Sequence, residues 1–172
     1  MAKFAGAGAG LLALAGAVFL LSKNASATEN FLTPAITQDP ASWPAGDRVW
    51  DVCRAVAMAE GFNDGPGHAP FDLNNPGDLS PGDEAGQATA GPAEFHDGSH
   101  IIHFATAAGG FQALYHKFYD AAAGVSRVYD PAMTWEQIGS LYAGDAGDWI
   151  RNVTGFLGVD PGSTLGDYVG AL

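Results

Sequence analysis

Basic residues are scarce in this chain: seven Lys and Arg stand against nineteen Asp and Glu in 172 residues, a formal charge of −12. No Lys/Arg cluster is present to neutralise phosphates, which argues against a nucleic-acid interface and against docking on anionic lipid headgroups. Cysteine is limited to Cys53, so an internal disulfide is ruled out. Cys53 falls on the apolar stripe of a helix and reads as core rather than nucleophile. No Gly-x-Ser-x-Gly elbow occurs, which argues against a Ser-His-Asp esterase. Strand–helix–strand alternation is also missing, which argues against a nucleotide-binding sheet. Charged residues total only 15%, while 47% of the chain is apolar, enough for one core and too short a chain for two.

What is present begins with an uncharged run. Residues 4–22, FAGAGAGLLALAGAVFLLS, lie between Lys3 and Lys23. These 19 residues approach the roughly 20 needed to cross a bilayer. Gly6 and Gly10 add a small-xxx-small face suited to helix packing. Ala25-x-Ala27 would suit a signal peptidase, so a cleaved secretory signal competes with the preferred retained anchor. On either reading the rest of the chain is delivered across a membrane or held against one. Residues 24–46, with Pro34, Pro40 and Pro44, read as a linker. The expected organisation is an anchor over 1–23, a linker over 24–46 and a folded domain over 47–172.

Within that domain, DRVWDVCRAVAMAEG from Asp47 predicts an amphipathic helix with Val49, Val52, Cys53, Val56 and Ala57 on one face. A long irregular stretch rich in Pro and Gly follows, of the kind that is usually functional. AEFHDGSHIIHFAT predicts a β-hairpin about a two-residue Asp97-Gly98 turn, which sets Phe95 opposite His100. His96 and His103 then share one face and His100 takes the other, so the three do not converge on a metal. A helix is expected from about Gly110 to Ala123, carrying Phe111, Leu114, Tyr115, Phe118 and Ala122 on one side. Thr134-x-x-Gln137 forms a capping box opening a helix through Ile138, Leu141 and Tyr142. Another helix covers Asp148 to Leu157, closed by Gly158, and a last one starts near Ser163. Trp135, Tyr142 and Trp149 repeat at seven residues and read mainly as core. The layout is α+β and mainly α, with one small hairpin.

Glu60 stands out. It continues the buried series of the first helix, about 20° from Val49 on the wheel, at the helix's last turn. The bland alternative is an outward, solvated carboxylate, or one paired with Arg48 or Arg54. Against it, burial and the negative helix terminus act together to favour the protonated acid. A shift of about two pKa units costs on the order of 2.7 kcal/mol, which is seldom tolerated without use. A carboxylic acid protonated near neutrality is what protonates a leaving glycosidic oxygen, and a glutamate seated in an apolar pocket is one way to keep that proton.

A helix ending in Glu60-Gly61, then Asn74-Asn75-Pro76-Gly77-Asp78-Leu79, then a hairpin leading to Phe104-Ala105-Thr106 and Gly109-Gly110-Phe111, resembles the lysozyme superfamily. The likeness covers roughly residues 47–172 and is nearest to the lytic-transglycosylase-like domains of bacteriophages and bacteria. It implies a lysozyme-like domain that cleaves the N-acetylmuramic acid–N-acetylglucosamine linkage of peptidoglycan, with Glu60 as general acid and base and no cofactor. It also implies that the Asn-Pro-Gly loop shapes the cleft, with Asn75, Asp78 and Tyr142 contacting sugar. Asp78 departs from the Asn more usual at that place, and no Glu-Ser pair occurs. A hydrolase needs a second carboxylate. Asp64, Asp72, Asp78, Asp83, Glu84, Glu94 and Asp97 are the candidates, and Asp78, nearest the motif, is preferred. In a transglycosylase the substrate's own groups take that part.

Expected partners are peptidoglycan strands, a membrane through residues 4–22, and other virion or membrane proteins. The competing class is an inactive, lysozyme-shaped structural component of a membrane or virion. The acidic balance favours that rival, because peptidoglycan is itself anionic. Screening salt or a membrane tether would reconcile activity with the charge.

Overall fold

Asp47 starts the first long helix by accepting a hydrogen bond from Trp50 N at 2.9 Å, and α1 runs over Arg48–Ala59. The computed structural model describes residues 39–81, 88–94 and 100–172, all within a unit that spans Pro34–Leu172. Every position expected on the inner face of α1 is buried, and Ala55 joins them. The helix ends in a glycine-dependent lock. Gly61 sits at φ 74°, Gly61 N bonds Met58 O at 3.2 Å and Phe62 N bonds Ala57 O at 2.9 Å. That turn drops Phe62 into the core against Trp43 and Phe111, at centroid distances of 5.7 Å from Trp43 to Phe62 and 5.5 Å from Phe62 to Phe111. Trp43 is 5% exposed, so the folded unit begins before the expected boundary at 47. An isolated Trp among prolines carries no periodic signal.

Two elements arise inside the stretch that reads as irregular. A four-residue helix, α2, spans Ala69–Asp72 with a proline in its first turn, too short to show a period. Strand β1 spans Ala88–Glu94 and pairs antiparallel with β2, His100–Phe104. The register differs from expectation by one residue. Glu94 opposes His100 where Phe95 was expected to, and the turn at Asp97-Gly98 lies outside the described residues. Two further residues bulge from β1 between Ala88 and Pro92. The other edge of β2 is held by the Asn-Pro-Gly loop: Ile102 N bonds Leu79 O at 2.9 Å and Phe104 N bonds Leu73 O at 3.0 Å.

Helix α3, Ala107–Ala122, begins three residues before the expected Gly110, capped by Thr106. Gly109 and Gly110, poor helix formers, are buried inside it, and the loop lies directly on Gly110. A Cβ at Gly110 would collide with Asn74 O and with Pro76 Cδ. The capping box opens α4, Trp135–Tyr142, as expected, although Leu141 points outward at 57% exposure. Asp145 caps α5, Ala146–Leu157, which closes on Gly158 at φ 67°, and Thr164 caps α6, Leu165–Val169. Helix α1 is the hub, packing against α3, α5 and α6, while α4 packs on α5. Helices therefore dominate and one hairpin sits beside them.

Among the described residues no helix is long and apolar enough to cross a membrane. The candidate span 4–22, the Ala25–Ala27 site, most of the linker, and Asp83, Glu84, His96 and Asp97 lie outside the described residues.

Candidate active site

The lock at Gly61 turns the backbone away directly after Glu60, leaving that side chain at the C-terminal end of α1 facing a groove. A cavity of about 400 Å³ lies there, lined by Glu60, Asp78, Tyr142, Trp149 and Asn152, with Asp145 and Asp148 at its rim. Glu60 is partly buried. Trp149 on α5, only 4% exposed, donates its Nε1–H to Glu60 Oε1 at 2.9 Å. Burial raises the Glu60 pKa to about 7, and the negative charge of Asp78 raises it too, while the Trp149 hydrogen bond works the other way. Arg48 lies over the Tyr168 ring and Arg54 over the Phe156 ring, so each has an aromatic contact away from the acid.

Asp78 reaches the same cavity from the loop. Burial lifts its pKa to about 6, and its Oδ1 is buried without a hydrogen-bond partner among the described residues. Its backbone sits at φ 48°, a left-handed conformation that side chains seldom adopt and that recurs at functional sites. The loop holds it there. Asn75 is 0% exposed, and its side chain is wholly engaged with backbone: Oδ1 accepts from Leu79 N at 2.9 Å, while Nδ2 donates to Leu79 O and Ile102 O, both at 3.0 Å. Asn75 is therefore a clamp between loop and hairpin, which corrects its expected role as a sugar contact. Asn74, at φ 53°, adds a second tie, from Nδ2 to Phe104 O at 3.2 Å.

Tyr142 ends α4 and joins the pieces. Its hydroxyl donates to Gly77 O at 2.6 Å, and its ring stacks on Trp149 with centroids 5.0 Å apart. Gly77 is closely packed: a Cβ there would come within 2.6 Å of Leu114 Cδ1 and 2.9 Å of the Tyr142 hydroxyl oxygen, so those side chains would have to move. Beyond Asp78 and Tyr142 a second cavity of about 240 Å³ opens, sharing those two residues with the first.

Of the expected site residues, Glu60, Asp78 and Tyr142 meet in one groove. Asp64 and Asp72 are exposed on the segment between α1 and the loop, and Asp72 accepts from Gly67 N at 3.0 Å. Trp149 is the partner that sequence reasoning undervalued. Its seven-residue spacing from Tyr142 was the available signal, but a stacked aromatic pair looks the same whether it fills a core or walls a groove. Trp135, by contrast, is fully buried, and Cys53 is buried with a thiol pKa pushed well up, as an inert core thiol should be. Chemically, the groove presents one carboxylic acid that keeps its proton near neutrality, a second carboxyl close enough to influence it, and an indole that orients the first. No family model, curated protein or solved structure matches the chain, so the chemistry of this groove rests on its own geometry.

Proposed function

We propose that the domain is lysozyme-like and degrades peptidoglycan, cleaving between N-acetylmuramic acid and N-acetylglucosamine with Glu60 as general acid and then base. The observation that supports this most is Glu60 itself: a helix-terminal carboxyl, half shielded from water, oriented by Trp149 and facing Asp78 across a cavity. The Glu60 O–H donates its proton to the glycosidic oxygen, and the C1–O bond breaks with positive charge developing on the sugar ring. Ionised Asp78 lies where it stabilises that charge or activates a water. If water attacks C1, its proton passes to a carboxylate and the product is a reducing sugar. If the sugar's own 6-hydroxyl attacks, Glu60 recovers the proton and the product is a 1,6-anhydro ring. In this reading residues 4–22 tether the domain to a membrane, of a cell or a virion, and raise its local concentration at the wall.

The second reading is an inactive structural component of a membrane or virion assembly, favoured by the acidic rim of Asp145 and Asp148. Fragment release from purified sacculi by the full chain separates the two. The enzyme reading expects release to fall by about 10²–10⁴-fold in Glu60→Gln. Equal release by both proteins would exclude the mechanism, and no release by either would favour the structural role. Mass spectrometry of the fragments tells anhydro from hydrolysed ends: Asp78→Asn should suppress only the hydrolysed kind if Asp78 activates the water, and both kinds if it stabilises the charge on the ring.

A further inference from the structure

Tyr142, the last residue of α4, touches the carriers of both carboxyls. On one side its hydroxyl donates to Gly77 O at 2.6 Å, one residue before Asp78. On the other its ring stacks on Trp149, with centroids 5.0 Å apart and 27° between the planes, and Trp149 in turn donates to Glu60 Oε1. The Tyr142 ring is itself held, because it also stacks on Phe118, a fully buried residue of α3, at 6.0 Å and 17°. Trp149 meets α4 at a second point: a Cβ at Gly139 would come within 3.0 Å of Trp149 Cε3. The Asn75 clamp fixes the loop to the hairpin, whereas the Tyr142 hydroxyl fixes it to the helical side, where Glu60 lies. Asp78 stands between these ties at φ 48°, a backbone conformation that persists only when its surroundings hold it.

We propose that Tyr142 is a positioning residue, a strut across the groove that sets the separation of the Glu60 and Asp78 side chains by acting through Trp149 and Gly77. The reaction depends on that separation, because the space between paired carboxyls decides what can be held between them. This consequence rests on the glycosidase reading, whereas the strut's hold on Glu60 does not. The groups around Glu60 give the strut a signature. Asp78 faces it from the loop, Asp145 and the Asp148–Arg151 ion pair stand at the rim, and Lys117 of α3 lies 5.3 Å from the Tyr142 ring centroid. On α1 itself, Arg48 and Arg54 lie over the Tyr168 and Phe156 rings. Burial and the Asp78 charge raise the Glu60 pKa, and the Trp149 hydrogen bond lowers it. Removing the Tyr142 hydroxyl lets Asp78 move toward water and weakens both raising effects. Removing the indole N–H takes away the lowering one. The two changes therefore act on Glu60 in opposite directions.

Carbon-13 titration of Glu60 in the full chain reads those directions. Tyr142→Phe, which keeps the ring stack, should lower the Glu60 midpoint by about one unit, and Trp149→Phe should raise it. Leu165→Ala, at a buried position of α6 that does not line the groove, should lower stability and leave the midpoint in place. On short soluble glycan fragments Tyr142→Phe should lower kcat by roughly 10–100-fold with KM nearly unchanged. The alkaline limb of its pH–rate profile should move to lower pH with the midpoint. A raised KM at unchanged kcat would make Tyr142 a sugar contact and overturn the strut. An unmoved midpoint in Tyr142→Phe, or an equal shift in Leu165→Ala, would overturn it as well and leave Tyr142 a packing residue. If the wild-type chain cleaves nothing, the glycosidase reading fails, and the midpoints alone decide the strut.

Discussion

A carboxyl whose folded-state pKa is raised makes the fold sensitive to alkali. Glu60 rises to about 7 and Asp78 to about 6, both because burial penalises the charged form. In the unfolded chain each ionises at its ordinary, lower value. The stability attached to them is therefore fully present below those ordinary values and is lost as pH rises through about 6 and then about 7. Denaturant unfolding at pH 4 and pH 8 should show this loss. Glu60→Gln should reduce it by about 2–3 kcal/mol, by removing the group that must ionise. A loss of equal size in both proteins would contradict the assignment. Glu60 was legible in the sequence because a helical period put a carboxylate where an apolar residue belonged. Its partner Trp149 was not, since the sequence shows no difference between an indole that packs and one that also donates.

At the scale of elements, the long helices followed from period and caps, as α1, α4 and α5 show. What escaped depends on contacts between segments distant in sequence. Helix α3 starts early on its Thr106 cap, and the loop at Asn74 and Pro76 covers Gly110, a residue that alone would discourage a helix. Strand β2 is tied on its other edge to Leu73 and Leu79, contacts of which a local turn signal at Asp97-Gly98 carries no trace. Asn75 is the joint between these pieces, and its role as a clamp predicts a stability effect before a catalytic one. Asn75→Ala would leave the buried Leu79 N–H and the Ile102 carbonyl without the side-chain bonds they now have, while Leu79 O would keep Ile102 N. The expected cost is about 2–4 kcal/mol, read from a lowered denaturation midpoint at unchanged m-value. A change below about 0.5 kcal/mol, the size of an ordinary surface substitution, would contradict the clamp.

At the scale of the whole molecule, charge is the dominant fact. On the proposed function an anionic wall polymer must approach a chain of formal charge −12, and the groove's rim adds Asp145 beside the Asp148–Arg151 ion pair. Long-range repulsion is screened within about 8 Å at physiological ionic strength and reaches about 30 Å at 0.01 M. Cleavage of intact sacculi should accordingly speed up several-fold as sodium chloride rises from about 0.01 M to 0.15 M, with kcat on short soluble fragments little changed. Slowing over that range would mean that attraction, not repulsion, governs the encounter. The proposed function finally stands on one acid that holds its proton in neutral water. Carbon-13 titration of the glutamate carboxyls, with Glu60→Gln to assign the signal, measures that proton directly. The account predicts a Glu60 midpoint near 7. A midpoint at the ordinary glutamate value of 4.5 would contradict it.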